Sequence, residues 1–366
     1  MPSPADEIRA AIAAAPSGAI PFERYMELAL YGEHGFYTRP GPGGAGRRRD
    51  FLTSPEVGPL FGAVFARVLD GHWEQLGRPD PFVVVDAGAG PGTLARTILA
   101  AGPLCRDAMR YLTVEPSASQ REAHPEGVTP LASLEEVSQA SRASRAPVGV
   151  VIANELLDNL PFALAVFDGA WREAHVTTTD GGATFVEVLS APFDPVPRAL
   201  PRVAGHGARA PLQRRAAATV ATARDTVSAG SVYVIDYARP STADAAELDW
   251  REWLRTYRRH GRGGHYLASP GEVDITADVM LDQLPPADEV ATQADFLARW
   301  GIDELVEDGR RAWEAGAATP TIDLLQMRSR VAESEALLEP SGLGSFAVLR
   351  WDILESSPNR NTLRRT

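Results

Sequence analysis

The chain of 366 residues contains no lysine, one cysteine and no long apolar segment. Without lysine, the protein forms no Schiff base with a carbonyl substrate or pyridoxal phosphate, and it lacks the lysine with which a P-loop holds a nucleotide phosphate. Because Cys105 is the sole cysteine, an intrachain disulfide and a metal site of several thiolates are both excluded. Apolar runs such as 82–85 are far too short to span a bilayer, and the first 15 residues lack the layout of a signal peptide.

The 36 basic residues are outnumbered by 48 acidic ones, and the net charge is −12. An acidic surface disfavours nucleic acid and anionic membranes as partners, since both select for basic proteins. The chain is 44% hydrophobic and 23% charged, which is typical of a soluble globular protein. We therefore expect a cytoplasmic protein, and the arginine-rich, lysine-free composition fits a GC-rich bacterial source.

Strands alternate with helices along most of the chain, which predicts an α/β fold with a parallel sheet. Apolar runs predict buried strands at 82–86, 111–115, 148–153, 231–236 and 346–352, with a short strand near 127–131. Apolar residues at helical spacing predict helices at 21–30, 59–76 and 93–101. Between these elements, an alternating pattern on both sides of residues 180–182 predicts a β-hairpin, followed by a surface loop at 191–211.

Three glycines follow the first predicted strand in the spacing G-x-G-x-G: Gly88, Gly90 and Gly92. Glycine permits a tight turn whose backbone approaches a ligand beneath a helix N-terminus. A dinucleotide-binding turn needs G-x-G-x-x-G, whereas here Thr93 stands after the third glycine and Pro91 lacks an N–H. The spacing favours a nucleoside–amino acid ligand such as S-adenosylmethionine (SAM), with Glu115 at the end of the next strand binding the ribose hydroxyls. A glycine turn and a terminal acid also occur without a ligand.

Polar residues follow the predicted strand at 148–153, in the segment ANELLDNLPF. The carboxyl ends of parallel strands border the ligand crevice of an open α/β sheet. Glu155 and Asp158 with Asn154 are therefore placed to bind a cationic group, since a guanidinium pairs with carboxylates through two donors. The same residues also stabilise the first turn of a helix, and the spacing alone leaves both interpretations open.

Taken together, these blocks resemble the MidA-type SAM-dependent methyltransferases, a family that includes a mitochondrial complex I assembly factor that methylates arginine. The resemblance runs from about residue 20 to residue 351. It rests on the order and spacing of several blocks: YMELALYGEHGFY, DFLTSPEVGPLFG, DAGAGPGTLA, VEPS, ANELLDNLPF, IDY, PGEVDITADV and TQADFL. It implies a class I methyltransferase fold, a Rossmann-like and mostly parallel seven-stranded sheet, with an N-terminal helical extension and an insertion before the fifth strand.

The domain organisation that follows has a cofactor-covering segment at 1–80, a catalytic core at 81–160 and 231–355, a substrate-side insertion at 161–230 and a polar tail at 356–366. The resemblance implies a set of cofactor-binding residues: Asp86, Gly88, Ala89, Gly90, Gly92, Glu115, Thr53, Ser54 and Pro55. It implies a catalytic set beside the transferring methyl group: Asn154, Glu155 and Asp158. It also implies three substrate-binding residues: Asp236, Tyr237 and Asp274. His260 joins this substrate-binding set because it flanks a glycine-containing loop, HGRGGHY, and such loops near a crevice often contact the substrate. No metal is expected.

The expected reaction is the transfer of a methyl group from SAM to an acceptor nitrogen, with Glu155 as the general base. A protein arginine is the leading acceptor. A small-molecule acceptor, a non-catalytic SAM-binding assembly factor and, further away, a NAD-dependent dehydrogenase are the alternatives. Arg49, Leu52 and Ala238 depart from the family pattern near the acceptor, which leaves the acceptor open, and the resemblance raises the chance of a homodimer.

Overall fold

The computed structural model describes residues 3–38, 53–140, 146–258, 261–319 and 321–354. A seven-stranded sheet lies at its centre, and its strands in chain order are β1 (Phe82–Ala87), β2 (Met109–Val114), β3 (Val128–Leu131), β4 (Val148–Asn154), β5 (Ala229–Asp236), β6 (Glu289–Thr292) and β7 (Ala347–Ile353). Across the sheet the order is β3-β2-β1-β4-β5-β7-β6. The neighbours from β3 to β5 are parallel, and β7 is antiparallel to both β5 and β6.

The central strands are buried on both faces, and this explains their continuous apolar sequence. All six residues of β1 are buried. Because side chains alternate along a strand, Phe82 and Val84 pack into a core on one face, while Val83 and Val85 pack into a core on the other. Helices cover both faces, as parallel sheets require. The predicted α/β class is therefore confirmed.

Twelve α-helices are found in the described part of the chain: Pro4–Ala14, Phe22–Tyr31, Ser54–Val57, Pro59–Gln75, Thr93–Ala101, Ala118–Arg121, Val137–Ala140, Arg214–Thr226, Thr242–Glu247, Gln293–Arg299, Ile302–Gly316 and Ile322–Leu337. The three predicted helices lie within one residue of their expected bounds. No helix among the described residues combines the length and the apolar character needed to cross a membrane.

A second sheet is formed by the segment between β4 and β5 together with two residues near the N-terminus. Its strands are Ile20–Pro21, Ala163–Phe167, Trp171–Thr179, Thr184–Pro192 and Arg209–Leu212. The hairpin predicted around residues 180–182 is present, because Trp171–Thr179 and Thr184–Pro192 pair antiparallel across that turn. The segment expected to be a surface loop at 191–211 instead ends in the strand Arg209–Leu212, which pairs with Ala163–Phe167.

This second sheet has its own hydrophobic core. Phe22, Tyr25 and Leu28 of the second helix pack there with Phe162 and Leu164 of the insertion. The helix Pro59–Gln75, by contrast, packs into a core under the central sheet. The first 80 residues, which the sequence grouped as one segment, are thus divided between two cores.

A smaller sheet lies beside the second core. Leu254–Arg258 pairs antiparallel with both Gly261–Arg262 and Asp274–Ala277. It begins directly after a single 3₁₀ turn, Trp250–Glu252, and Trp253 is fully buried. The backbone of residues 254–258 is extended because it pairs with the partner strand at 274–277.

Candidate active site

A cleft of about 950 Å³ opens at the carboxyl ends of β1, β2 and β4. Gly88, Ala89 and Gly90 form one wall, and Tyr31 and Tyr37 lie among the other lining residues. The two tyrosine rings are stacked, with their centroids 5.5 Å apart. This location and size are typical of a small-molecule site in an open α/β sheet.

The glycine turn adopts a conformation that side chains disfavour. Gly88, Gly90 and Gly92 have φ angles of 73°, 52° and 75°, all in the left-handed region. A Cβ on Gly88 would lie 2.8 Å from a methyl carbon of Leu156. Gly92 lies outside the cleft lining and precedes the helix Thr93–Ala101, so its role in this structure is to permit the turn. The backbone of Gly88 and Gly90 therefore borders the cleft without a side chain of its own.

Glu115 lies directly after β2 and ties the turn to that strand. Its carboxylate accepts hydrogen bonds from the backbone N–H groups of Gly90 at 3.1 Å and Ser117 at 2.8 Å. Burial raises the pKa of this carboxyl. Each oxygen keeps a second lone pair, so the group can still accept hydrogen bonds from a pair of hydroxyls in the cleft.

Glu155 also lines the cleft, and its backbone is strained. Its φ of 50° is unusual for a residue other than glycine, and such strain is concentrated at functional sites. The backbone N–H of Ser54 and the side-chain amide of Asn154 each donate to Oε1 at 3.0 Å, and the Tyr237 hydroxyl donates to Oε2 at 3.3 Å. These donors fix the carboxylate. Burial, reinforced by the nearby Asp158, raises the pKa of Glu155 to about 8.

The cleft is acidic. Its charged lining residues are Glu56, Asp86, Glu115 and Glu155, and neither arginine nor histidine is found among the described residues that line it. Burial raises the pKa of Asp86 to about 7. A concentration of carboxylates at low solvent exposure favours a ligand that brings positive charge, because the cation lowers the cost of ionising them.

Other predicted site residues lie behind the cleft lining. Asp158 is buried, and the Thr276 hydroxyl donates to one of its oxygens. Asp236 is fully buried, and its carboxylate accepts hydrogen bonds from the backbone N–H groups of Leu157, Asp158 and Tyr237. Both carboxylates have raised pKa values because of burial. Asp236 thus holds the backbone that follows Glu155, and neither acid contacts the cleft.

Asp274 does not line the cleft. It lies behind Tyr31 and Tyr37, the stacked pair that we call the aromatic wall. It accepts hydrogen bonds from the Tyr37 hydroxyl at 2.9 Å and from the Asn159 amide at 3.1 Å. Tyr237 contacts the cleft through Glu155, as described above. Thr53 and Pro55 line the cleft, whereas Ser54 reaches it only through its bond to Glu155. His260 lies outside the described residues, as do Arg49 and Leu52.

Comparisons with known proteins agree with this geometry. A family model described as "Putative S-adenosyl-L-methionine-dependent methyltransferase" matches residues 64–298. The chain belongs to this family. It is 30% identical over 307 residues to the protein arginine methyltransferase NDUFAF7 homolog of Drosophila melanogaster, a mitochondrial protein, covering 75% of this chain and 67% of the relative.

Two further relatives extend the comparison. The mitochondrial protein arginine methyltransferase NDUFAF7 of Danio rerio is 24% identical, over 80% of this chain and 75% of its own. A crystal structure of a protein from Burkholderia thailandensis bound to S-adenosyl-homocysteine superposes with a TM-score of 0.76 and 27% identity, over 97% of this chain and 92% of that chain. The protein is a SAM-dependent methyltransferase.

The structure of this methyltransferase also brings to the cleft residues that no sequence argument assigned. Tyr31, Tyr37, Glu56 and Asn159 all line it. Each lies inside a block that resembles the family, but such a block contains many residues and does not show which of them meet. The packing of the first two helices against the second sheet brings the tyrosines to the same cleft as the glycine turn.

The raised pKa values predict how stability depends on pH. Asp86, Glu155 and Asp274 have pKa values raised by burial to about 7, 8 and 7, so the folded protein holds their protons more tightly than the unfolded chain. The resulting stabilisation is complete below the unfolded pKa of about 4 and is lost as the pH rises through these values.

We therefore expect the melting temperature of the SAM-free methyltransferase to fall between about pH 7 and pH 9. Above about pH 7 the histidines of the unfolded chain are already neutral, so the slope reports the carboxyl groups. Differential scanning calorimetry in matched buffers measures it. Glu155→Gln should reduce the slope, and a slope identical to that of the wild type would show that Glu155 titrates normally.

Proposed function

We propose that the cleft holds SAM against the glycine turn and that Glu155 is the general base for methyl transfer to a guanidinium nitrogen of a protein arginine. The observation that carries this proposal is the half-buried Glu155, whose carboxylate is fixed by three hydrogen-bond donors and lines the same cleft as the glycine turn. The sheet order, with β7 antiparallel between β5 and β6, supports the class I methyltransferase fold.

The cleft residues fit SAM. Gly88 and Gly90 leave room beside the cleft that a Cβ would fill, and the two oxygens of Glu115 suit the two ribose hydroxyls. Asp86 and Glu56 supply negative charge for the ammonium and sulfonium groups. Thr53 and Pro55 would cover the ligand from the N-terminal side, and Ser54 links that segment to Glu155.

SAM supplies an electrophilic methyl group on a positively charged sulfur. The residues of the cleft have to align the acceptor nitrogen with that carbon, which is mainly a task of positioning. As the nitrogen–carbon bond forms, the carbon–sulfur bond breaks, S-adenosyl-homocysteine is the leaving group, and the nitrogen loses a proton, which we assign to the Oε2 atom of Glu155. The Oδ1 atom of Asn154 is buried and has no partner among the described residues, so it can accept a hydrogen bond from the same guanidinium.

The raised pKa of Glu155 suits this role. A carboxylate with a pKa near 8 is a stronger base than an ordinary one, and two cations in the cleft would favour its ionised form while the substrates are bound. Asp158 and Asp236 remain behind it, where they act on the backbone and on the local charge. We assign them no contact with the acceptor.

We further propose that the helices Pro4–Ala14 and Phe22–Tyr31 and the insertion at 161–230 form the acceptor-side lobe. They share one hydrophobic core, and the aromatic wall of Tyr31 and Tyr37 extends from that core into the cleft. Stacked aromatic rings beside carboxylates provide both cation–π attraction and charge for a guanidinium. The names of the relatives from Drosophila melanogaster and Danio rerio support a protein arginine as the acceptor.

Radiolabelled methyl transfer tests the acceptor class. The purified protein is incubated with tritiated SAM and, separately, with the heat-treated protein fraction and the small-molecule fraction of a bacterial lysate. We expect label in protein, released on acid hydrolysis as methylated arginine. Label confined to small molecules would contradict the proposed acceptor and support the alternative small-molecule methyltransferase.

Tyr37→Leu tests the aromatic wall. We expect the rate at limiting acceptor to fall about tenfold, because the cation–π and stacking contacts of the ring are worth about 1–2 kcal/mol. Tyr37→Phe is the matched control, since it keeps the ring and loses only the hydrogen bond to Asp274. The dissociation constant (Kd) of SAM, measured by calorimetry, should stay unchanged in both variants. Equal rates for the Leu variant and the wild type would place the acceptor elsewhere.

A further inference from the structure

A second recess, with about 610 Å³ of empty space, lies beside the small sheet of Leu254–Arg258. Its lining includes Arg251, Arg255, Arg262, Trp250 and His265, and no carboxylate is found among the described residues that line it. In a chain of net charge −12, three arginines around one recess are a local reversal of charge. The recess is therefore positively charged, whereas the active-site cleft is acidic.

The positive charge is only partly balanced by neighbouring acids. Asp278 pairs with both Arg239 and Arg255, so one carboxylate serves two guanidinium groups. Arg251 pairs with the exposed Asp249 at 3.4 Å, whereas Arg262 has no ion pair with a residue that the structure describes. An excess of positive charge therefore remains at the mouth of the recess.

Arg255 is held in place and still has donors to offer. Its guanidinium donates to the backbone oxygen of Glu252 at 2.9 Å and lies over the Tyr237 ring, 5.4 Å from the centroid. Its Nε is buried and has no hydrogen-bond partner among the described residues. A buried donor without a partner is costly, so Arg255 lines the recess with hydrogen-bonding capacity that the described residues do not use.

The wall of the recess is preformed. The backbone N–H of Gly263 donates to the Thr256 oxygen at 2.7 Å, and the Thr256 hydroxyl donates to the Gly264 oxygen at 2.8 Å. A Cβ on Gly263 would lie 2.4 Å from that hydroxyl, so glycine is needed for this close approach. The Arg251 guanidinium lies over the Trp250 ring, 4.4 Å from the centroid. Tryptophan and arginine together are typical of the residues that dominate binding at protein interfaces.

We propose that this recess binds a carboxylate-bearing segment of the acceptor protein. It rests on the proposed function insofar as the acceptor is a protein. Guanidinium groups bind carboxylates through paired hydrogen bonds. The recess also adjoins the active site, since Arg255 contacts Tyr237 and Tyr237 contacts Glu155. A nucleic acid needs a longer basic surface than one recess, and the overall charge repels it.

Fluorescence anisotropy of a labelled, terminally blocked hexapeptide of alternating glutamate and glycine tests the proposal on the full-length protein. We expect binding that weakens with salt, as contacts between exposed charges do. The wild-type protein should bind the matched glutamine–glycine peptide about tenfold more weakly than the glutamate peptide. The double variant Arg251→Glu/Arg262→Glu should bind the glutamate peptide about tenfold more weakly than the wild type does. Arg106→Glu, an exposed arginine of the 3₁₀ helix Leu104–Asp107, is the control and should bind like the wild type.

SAM binding by the double variant, measured by calorimetry, shows that the variant is folded and separates this proposal from the proposed function. With SAM binding intact, equal affinity for the glutamate and glutamine peptides would overturn the acidic-segment site. So would unchanged peptide binding by the double variant. The proposal would also be overturned if the wild type bound a twelve-nucleotide thymidine strand more tightly than the glutamate peptide and the double variant lost that binding. That result would indicate a nucleic-acid site.

Discussion

Glu155→Gln is expected to lower the rate of methyl transfer by about 10²–10⁴-fold, the usual contribution of a general base. The amide keeps the shape of the side chain but cannot accept the proton that leaves the acceptor nitrogen. The donors to Oε1, the Ser54 N–H and the Asn154 amide, can still bond to the amide oxygen, so the strained backbone at residue 155 is retained. Initial rates with tritiated SAM, together with the Kd of SAM by calorimetry, measure the two effects separately.

Glu247→Gln is the matched control, because Glu247 is exposed on the helix Thr242–Glu247 and lies outside the cleft. This variant should transfer methyl groups at the rate of the wild type. Full turnover by Glu155→Gln, with SAM bound normally, would show that another group accepts the proton. The dependence of the wild-type rate on pH gives a second readout: the limb that rises toward about pH 8 should be absent in Glu155→Gln.

Gly90→Val is expected to weaken SAM binding by about 5- to 150-fold, since overpacking a tight site costs about 1–3 kcal/mol. A Cβ at this position already approaches the Gln120 Oε1 atom to 3.4 Å, and the two methyl groups of valine would enter the cleft. Methyl transfer at low SAM should fall in parallel. Isothermal calorimetry with SAM and with S-adenosyl-homocysteine provides the measurement.

Gly102→Val is the matched control, because it introduces the same backbone strain as Gly90→Val without filling the cleft. Gly102 lies directly after the helix Thr93–Ala101, whereas Gly90 lies shortly before it. The φ of Gly102, 66°, is close to the 52° of Gly90. A Cβ at Gly102 meets nothing within 4 Å. Both variants should therefore lose stability from a β-branched residue in the left-handed region, but only Gly90→Val should lose SAM. Equal SAM affinity in the two variants would place the ligand away from the glycine turn.

The parts of the fold that were predictable share one property, which is that their signal is local. The run FVVVD predicted β1 because a strand buried on both faces must be apolar throughout. The hairpin around residues 180–182 was predictable from alternation and turn residues. By contrast, the sequence did not predict β6, because none of its four residues is fully buried and it forms a strand only by pairing with β7.

The candidate site shows the same division. Gly88, Gly90 and Glu115 were assigned from their spacing around adjacent strands, and all three line the cleft. Asp158 was assigned from its nearness to Glu155 in sequence, yet its carboxylate bonds to Thr276, more than a hundred residues away. Spacing along the chain does not show toward which side of a loop a carboxylate points.

The sequence by itself determined the α/β class, the glycine turn with its neighbouring acid and the exclusion of lysine and thiolate chemistry. These features depend on residue types and on spacings of a few residues. Only the tertiary structure decided that Tyr31 and Tyr37 line the same cleft as that turn, that Glu155 lines it while Asp158 lies behind it, and that Arg251, Arg255 and Arg262 surround one recess. Each of these arrangements joins segments that are far apart in the chain, and their distances and burial are set by packing, which no local pattern encodes.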